Sequence, residues 1–268
     1  MIDMNMKPMA RAARAVSVAV AVSLWSAPDT CAEYKIDYKV EALGNVGDGT
    51  FAPSYIAANR HGVLTQTNTI LFRGGLFHPW QTDSRFSYGW GVDLIGDYAN
   101  ATAYGRYRYN ATTGSGSWDV NHQRPQGFWI QQLFGEVRYR GVFLTAGLKE
   151  RQPALLDYRL SSGDLVESGN SRPIPEVRAG FTDFQNIPFT DGWVQIQGEI
   201  SYGKLTDNGW LKNHFNYYTG HINLGAIYSY KRCFLRTNPM KPFSATVGMQ
   251  VGAMFGGTTS WYSQGRQT

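Results

Sequence analysis

Apolar and polar residues alternate along much of this chain. In residues 192–204, GWVQIQGEISYGK, even positions such as Ile196 and Ile200 are apolar, whereas the odd positions include Gln195 and Gln197. A β-strand directs successive side chains to opposite faces of its sheet. The segment is therefore predicted to be a strand with one apolar and one polar face.

The same alternation recurs along the chain, with about ten segments that fit it. It is clearest in EYKIDYKVEAL, RFSYGWGVDL, QQLFGEVRYR, GVFLTAGLKER, EVRAGFTDF and PFSATVGMQVGAMF. Period-two patterning over segments of this length favours strands over helices. The fold class predicted is all-β and antiparallel.

The connections between the predicted strands differ in length in a regular way. Short links at 140–141, 186–191 and 238–241 alternate with long links at 111–127, 152–174 and 205–226. Short turns on one side and long loops on the other are typical of an outer-membrane β-barrel. A secreted β-sandwich is the alternative, because both folds share the period-two pattern.

Aromatic residues lie at the ends of the predicted apolar faces. They are Tyr34, Phe86, Tyr139 and Tyr202. Transmembrane barrels carry such residues in girdles at the two lipid interfaces, whereas a soluble sandwich turns its apolar face to a core. The pattern favours a transmembrane β-barrel with lipid outside and an aqueous lumen inside.

The N-terminal residues predict export. Lys7, Arg11 and Arg14 precede the apolar run AVSVAVAVSLWSA, which is too short for a spanning helix and is typical of a secretory signal peptide. We place cleavage after Ala32, so residues 1–32 form the signal peptide and residues 33–268 the barrel domain. The predicted location is the cell outer membrane.

Composition and charge exclude several classes of protein. The 30 glycines and 14% aromatic residues exclude disorder and favour strands, and the formal charge of +5 is spread without a Lys/Arg run. We therefore expect no nucleic-acid partner. Cys233 is the one cysteine left after cleavage, which rules out an internal disulfide.

Motifs for catalysis or metal binding are missing from the sequence. The five histidines have no HExxH-type spacing, and there is no GxSxG segment. We expect no enzyme activity, no catalytic residue, no cofactor and no metal site.

The last residues bear on whether a barrel is complete. The stretch GGTTSWYSQGRQT is predicted to be a loop that follows a strand. A barrel must pair its first and last strands, because unpaired backbone groups cannot face lipid. The domain at 33–268 is therefore expected to be C-terminally incomplete, the N-terminal part of a longer barrel.

Three stretches of irregular sequence carry a resemblance to a known family. TFAPSYIAANRHGV, GDLVESGNSRPIPEVRAGFTDFQNIPFTDGWVQIQGEISYG and YKRCFLR resemble the Wzi capsule-assembly outer-membrane proteins, in the form found in Bacteroidetes. The resemblance runs from about residue 34 to the end of the chain. It implies an eighteen-stranded barrel with an inserted plug region and a lectin-like role in holding capsular polysaccharide. Roughly the second half of such a barrel is absent here.

Two segments between strands have a predicted role in the lumen. In VGDGTFAPSYIAANRHG, Pro53 and Ser54 are placed to start a short helix that ends before Gly62, which fits a plug-like segment. An ordinary long turn is the alternative. Residues 152–174 are predicted to be ordered and packed partly into the barrel mouth, the alternative being a loop that only covers the lumen.

The predicted lumen carries residues suited to an acidic glycan. Arginine forms forked hydrogen bonds to carboxylates, glutamine can bind hydroxyls, and tryptophan can stack on a sugar ring. The candidate polysaccharide-binding residues are Arg73, Arg138, Arg140, Arg151, Arg178, Trp193, Gln195 and Gln197. The alternative is that these residues cross-link the lumen through Glu136, Glu176 and Glu199.

The function predicted from these observations is an outer-membrane lectin that binds acidic capsular polysaccharide and helps to assemble or attach the capsule. A channel for small solutes is the first alternative, and a barrel hydrolase the second. The partners expected are the polysaccharide and outer-membrane lipid, while the oligomeric state and the identity of the polysaccharide stay open.

Overall fold

The structure is a computed structural model. It describes residues 18–25, 35–49, 51–81, 83–110, 112–124, 127–151, 166–206, 220–263 and 266–267. Within these ranges it contains sixteen strands and one short helix. No helix among the described residues has the length and apolar composition needed to cross a membrane.

The elements follow one another along the chain in this order: β1 Val18–Trp25, β2 Asp37–Val46, α1 Ser54–Ala57, β3 Thr69–His78, β4 Phe86–Ala99, β5 Thr102–Asn110, β6 Ser115–Gln123, β7 Phe128–Tyr139, β8 Val142–Leu148, β9 Pro175–Phe181, β10 Gln185–Asn186, β11 Val194–Lys204, β12 Gly220–Leu224, β13 Ile227–Thr237, β14 Thr246–Phe255, β15 Thr258–Ser263 and β16 Arg266–Gln267.

Ten of the strands form one antiparallel meander in the order β1-β2-β3-β4-β7-β8-β9-β11-β13-β14, with β10 paired to β11. Every neighbouring pair in this order is antiparallel. The prediction of an all-β antiparallel fold is therefore confirmed. Among the described pairings, none joins β14 to β1 or β2.

The first strand lies inside the segment that the sequence predicts to be a signal peptide. Val18–Trp25 pairs with β2 over its whole length, from Val18 opposite Val46 to Trp25 opposite Lys39. Cleavage after Ala32 would remove this strand and leave β2 at the edge of the sheet. The signal peptide stays a prediction.

Long links join the strands at one end of the meander and short links join them at the other, as the sequence predicts. Each of these two sides, formed by the ends of the strands, is called an edge below. One edge, called here the short-link edge, holds links 79–85, 140–141, 182–193 and 238–245. The opposite, long-link edge holds links 47–68, 100–127, 149–174 and 205–226.

Two long links contain strands that the sequence analysis missed. The predicted loop at 111–127 includes β6, which pairs with β5 in a separate two-stranded sheet. The link at 205–226 includes β12, which pairs with β15. The prediction of a loop at the end of the chain was therefore wrong, because residues 258–263 form a strand whose partner comes from a distant link.

The two faces of the meander are inverted relative to a soluble sheet. Its apolar face is exposed, with Phe72 at 64% and Leu144 at 47%, whereas on the other face Asp93 is fully buried and Glu199 is 5% exposed. A soluble sandwich buries the apolar face of each sheet. We call the exposed apolar side the outer face and the buried polar side the inner face.

A β-bulge adds a second polar residue to the inner face of β7. Asp93 of β4 lies opposite Gln132 and Leu94 lies opposite Ile130, so Gln131 is the extra residue. A bulge of this kind re-aims a side chain locally. Gln131 and Gln132 are both buried as a result.

The inner face is partly covered by residues 51–66, which we call the inner segment. It is closed by a bridge between Phe51 and Gln66 and contains α1, the short helix that the sequence predicts after Pro53. Its apolar residues pack with residues from the inner faces of β2, β3, β4 and β7. This buried cluster consists of Leu43, Ile56, Val63, Leu64, Leu71, Ile95 and Trp129.

Replacement of Gly147 by alanine should strongly destabilise the sheet. Gly147 has a φ of 122°, and an added Cβ would lie 2.1 Å from the carbonyl oxygen of Leu133 on the neighbouring strand. Backbone strain and steric overlap together should lower the free energy of unfolding by roughly 2 to 4 kcal/mol. Denaturant titration measures this change.

Gly135→Ala is the matched control. Gly135 lies on β7, opposite Ala146, and an added Cβ would have no atom within 4 Å. This variant should be as stable as the native protein or slightly more stable, because alanine restricts the unfolded chain. Equal losses from both substitutions would contradict the close approach of β7 and β8 at Gly147.

Candidate functional site

Charged side chains of the inner face form three groups of ion pairs, which together are called here the inner network. At one end of it, the Arg73 Nε donates to both oxygens of Asp93, at 3.0 and 2.9 Å. Its Nη2 donates to Glu150 at 2.7 Å. Gln132 donates to Asp93 at 3.2 Å and Gln131 donates to Glu150 at 3.0 Å, so the bulge residues hold both carboxylates.

A second group lies along β7 and β8. The Lys149 ammonium contacts Glu136 at 2.5 Å, and the Thr145 hydroxyl donates to the same carboxylate at 3.2 Å. The Lys149 Nζ also lies 4.6 Å from the centroid of the Phe134 ring and 5.3 Å from that of Trp80. The cation is therefore held on one side by a carboxylate and on the other by aromatic rings.

Glu176 and Glu199 are the centre of the third group. Arg178 donates to both oxygens of Glu199, at 3.0 and 3.1 Å, and Arg232 approaches the same carboxylate at 2.9 Å. Arg151 pairs with Glu176 through Nε at 2.9 Å and lies 3.2 Å from Glu199. One carboxylate, Glu199, thus receives three arginines.

Arg151 is further enclosed by its other neighbours. Its Nη1 donates to Glu167 at 2.6 Å and its Nη2 donates to the Ser201 hydroxyl at 2.5 Å. The guanidinium carbon lies 4.7 Å from the centroid of the Tyr230 ring. All three nitrogens of this guanidinium therefore donate to groups of the chain itself.

Three of the predicted polysaccharide-binding residues therefore lie in the inner network. Arg73, Arg151 and Arg178 are all ion-paired to carboxylates of the chain. Of the carboxylates expected to cross-link the lumen, Glu176 and Glu199 pair with Arg151 and Arg178, and Glu136 pairs with Lys149. Arg73 pairs instead with Asp93 and Glu150. The geometry is that of the cross-linking alternative.

The other five predicted residues lie towards the short-link edge. Arg140 is exposed in the turn between β7 and β8, with a φ of 55°, and its carbonyl accepts from the Arg138 Nε at 2.8 Å. Trp193 is 56% exposed and lies in the turn before β11. It is therefore not on the inner face of a strand, where its odd position in the alternation had placed it. Gln195 accepts from Arg236 at 2.7 Å.

Gln197 completes this set, half-buried on β11 opposite Phe234 of β13. The eight predicted residues therefore do not converge on one place. They divide between the inner network and the short-link edge.

A cavity of about 230 Å³ opens at the long-link edge, where three long links meet the inner face. Its lining comes from the inner segment, from link 149–174, from the first residue of link 205–226 and from strands of the inner face. The lining residues are His61, Lys149, Arg151, Val166, Glu167, Ser168, Gly169, Ser171, Arg172, Pro173, Ile174, Glu176, Leu205, Tyr228 and Met254.

Backbone contacts between the inner segment and link 149–174 build one wall of this cavity. The His61 amide donates to the Gly169 carbonyl at 2.8 Å, and the Asn59 amide donates to the Asn170 side chain at 2.7 Å. From the other side, Gln131 donates to the His61 carbonyl at 3.1 Å. Link 152–174 was predicted to be ordered and packed partly into the barrel mouth; its residues 166–174 contact the inner segment, while 152–165 lie outside the described residues.

Arg172 is held differently from the arginines of the inner network. Its Nε donates to the Gly62 carbonyl at 3.3 Å, and its guanidinium lies 4.1 Å from the centroid of the Trp129 ring. Among the described residues, no carboxylate forms an ion pair with it. Asp97 is the carboxylate whose charge acts on Arg172.

Burial shifts the pKa values of groups that line the cavity. Burial lowers the pKa of His61, against the opposing charge of Glu150, so its ring is neutral at neutral pH. Burial raises the pKa of Glu167, against the nearby Arg151. The pKa of Arg172 is lowered by burial, against Asp97, yet arginine stays protonated.

The length of link 152–174 pointed to the segment that builds the cavity but not to the residues that line it. His61, Ser168 and Arg172 were not among the candidates, because their approach depends on contacts between links 47–68 and 149–174. The available signal was the length of link 152–174 together with its content of apolar residues and prolines.

In the part of the chain that the structure describes, no three His, Cys, Asp or Glu side chains are grouped to hold a metal ion. Comparison with protein-family models, with curated proteins and with solved structures finds no match for this chain. The resemblance to Wzi proteins therefore stays a prediction.

Replacement of Glu199 by glutamine should test the inner network. The carboxylate is buried and its loss leaves Arg151, Arg178 and Arg232 with too few counter-charges. Removal of one partner from a buried ion pair costs roughly 3 to 5 kcal/mol of unfolding free energy. Denaturant titration of the folded protein measures the loss.

Asp37→Asn is the control, because its pair with Lys35 spans 3.8 Å and the lysine side chain is 51% exposed. Such an exposed pair contributes at most about 1 kcal/mol. If Glu199→Gln were as mild as Asp37→Asn, the network would not hold the strands together.

Proposed function

We propose that this chain belongs to an outer-membrane β-barrel protein that binds acidic capsular polysaccharide at the cell surface. The observation that carries the proposal is the inversion of the sheet, with an exposed apolar outer face and a buried, ion-paired inner face. Lipid is the solvent that suits such an outer face. A transmembrane barrel alternates apolar residues towards lipid and polar residues towards its interior.

The alternation of long and short links supports the same proposal. In outer-membrane barrels the short turns face the periplasm and the long loops face outwards. The cavity lies at the long-link edge, formed by links 47–68 and 149–174 and by the ends of the adjoining strands. In this orientation the cavity faces the outside of the cell, where a capsule would be.

Binding is favoured over conduction by what covers the inner face. The inner segment packs against β2, β3, β4 and β7, and ion pairs occupy the inner face from Arg73 of β3 to Arg232 of β13. An open channel needs a water-filled path along its lumen. A small-solute channel is therefore the second candidate rather than the first.

A polysaccharide ligand is supported by the resemblance to Wzi proteins and by the chemistry of the cavity. Its lining combines serines, cations and the ion-paired Glu167 and Glu176 with apolar residues that include Ile174, Leu205 and Met254. Sugars present hydroxyl edges and apolar ring faces, which match such a mixed surface.

The lipid part of the proposal is tested by Leu144→Arg. Leu144 lies on the outer face of β8, between Val137 and Ala179 of the neighbouring strands. An arginine near the middle of a lipid face costs roughly 2 to 4 kcal/mol, whereas a surface substitution in water costs within about 0.5 kcal/mol. Folding into lipid vesicles under denaturant titration gives the free energy.

Thr113→Arg is the matched control, because it adds the same charge in an exposed turn between β5 and β6. We expect native stability for this variant. A Leu144→Arg variant as stable as the Thr113→Arg variant would exclude lipid as the partner of the outer face.

The binding part is tested with the protein in lipid vesicles and two polymers, acidic polygalacturonate and neutral dextran. We expect sedimentation of polygalacturonate with the vesicles, with retention that falls as salt is added. Single-channel recording in planar bilayers examines the alternative. Steady conductance without retention of either polymer would contradict polysaccharide binding and favour a channel for small solutes.

A further inference from the structure

The cavity at the long-link edge is sized for a single ligand unit. Its volume is about 230 Å³, and one water occupies roughly 30 Å³ in the liquid, so the space fits one sugar ring with its substituents. Of the eight residues predicted from sequence, Arg151 alone is among the lining residues of this cavity. Its guanidinium is already paired with Glu167 and Glu176.

The cations that line the cavity are in ion-pair contact with carboxylates, except for one. Lys149 is paired with Glu136, and Arg151 is paired with both Glu167 and Glu176. Arg172 alone among these described cations has no carboxylate in ion-pair contact. Asp97 acts on Arg172 from beyond ion-pair distance, so this partly buried guanidinium can still take an anion in direct contact.

The Arg172 side chain is also fixed in place before any ligand arrives. Stacking on Trp129 holds the plane of the guanidinium, and the Nε bond to the Gly62 carbonyl fixes its rotation. Both Nη atoms are left without a hydrogen bond to the described residues. A planar guanidinium with its outer nitrogens available matches the two oxygens of a carboxylate.

Neutral hydrogen-bonding residues line the same cavity as this cation. His61 is one of them, held through its backbone by Gly169 and Gln131, and its neutral ring has one donor and one acceptor nitrogen. Ser168 and Ser171 also line the cavity, and the Ser168 hydroxyl accepts from the Asn170 amide at 3.1 Å. These groups can bind sugar hydroxyls, and the apolar residues of the lining can cover a ring face.

We propose that this cavity binds one uronic-acid unit of an acidic polysaccharide, with its carboxylate on Arg172 and its hydroxyls on His61, Ser168 and Ser171. The proposal rests on the proposed function, which it deepens by naming the ligand unit and the residues that select it. The selectivity is for a carboxylate in place of the hydroxymethyl group of a neutral hexose.

Isothermal titration calorimetry on the full chain in detergent micelles tests the proposal, with sodium glucuronate and glucose as probes. We expect glucuronate to bind at least tenfold more tightly than glucose. Arg172→Gln should weaken glucuronate binding about tenfold or more and leave the weak binding of glucose unchanged. Arg172→Lys should give an intermediate loss, because the charge remains without the forked geometry.

Arg124→Gln is the matched control. Arg124 also stacks on an aromatic ring, 5.3 Å from the centroid of Tyr98, but it does not line the cavity. Its removal should leave both affinities unchanged. Folding of each variant is checked by gel electrophoresis, from the temperature at which the band of the folded form is replaced by the band of the unfolded form.

Ser171→Phe keeps the test decisive if Arg172→Gln does not fold. This variant leaves Arg172 in place and fills the rim of the cavity, so it should abolish glucuronate binding. Native glucuronate affinity in a folded Arg172→Gln or Ser171→Phe variant overturns the proposal, as does equal affinity of the native chain for glucose and glucuronate.

The proposal and the proposed function fail in different ways. A native chain that retains polygalacturonate on vesicles but binds no glucuronate would overturn the uronate cavity and leave polysaccharide binding intact. If the native chain retained no polygalacturonate on vesicles, the proposed function itself would be overturned.

Discussion

Charges that are buried on the inner face need partners within the protein, and this requirement organises the structure. An isolated charge loses its hydration on burial, and only an opposite charge and hydrogen bonds in good geometry offset that loss. Glu199 of β11 meets this requirement with arginines from β9, β13 and link 149–174. The pairing therefore ties together strands that are neighbours in the sheet and a link that crosses their ends.

The position of the links follows from the same requirement. Glu150 and Arg151 leave the end of β8 and turn inwards to pair with Arg73 and Glu176. Further along the link, Arg172 stacks on Trp129 beneath the inner segment. The link is thus held to the inner face at both ends of its described part, and the cavity lies between these points. The exposed outer face is the counterpart of this arrangement, since the polar residues already occupy the inner side.

Much of the meander could be predicted from sequence because a strand leaves a local period-two signal. The register of β11 with β13 puts Glu199 opposite Arg232 on the inner face and Ile196 opposite Leu235 on the outer face, as alternation predicts for these positions. The bulge at Gln131 and the pairing of β12 with β15 could not be predicted in this way. Both depend on contacts between segments far apart in the chain, for which alternation carries no information.

The site was less predictable than the strands for a physical reason. Alternation places Arg73 and Arg178 on the inner face, but it cannot tell whether a carboxylate on the next strand already neutralises them. Trp193 is at an odd position, as the inner-face residues of β11 are, yet it lies in a turn because the strand begins one residue later. Arg172, in contrast, is on no strand, and its stacking on Trp129 requires two links to fold over the same strand ends.

The central claim is that the outer face contacts lipid, and the native Cys233 offers a direct measurement. Cys233 is exposed on the outer face of β13, next to Leu235 at the following outer position. A fluorophore is attached to Cys233 in a Cys31→Ser background, or to Ser201→Cys on the inner face with Cys233 replaced by serine. Quenching is then compared for brominated lipid chains and for aqueous iodide. If the outer face contacts lipid, brominated lipid should quench the Cys233 label strongly and iodide should quench it little, with no lipid quenching at position 201. Quenching of the Cys233 label by iodide alone would contradict lipid contact.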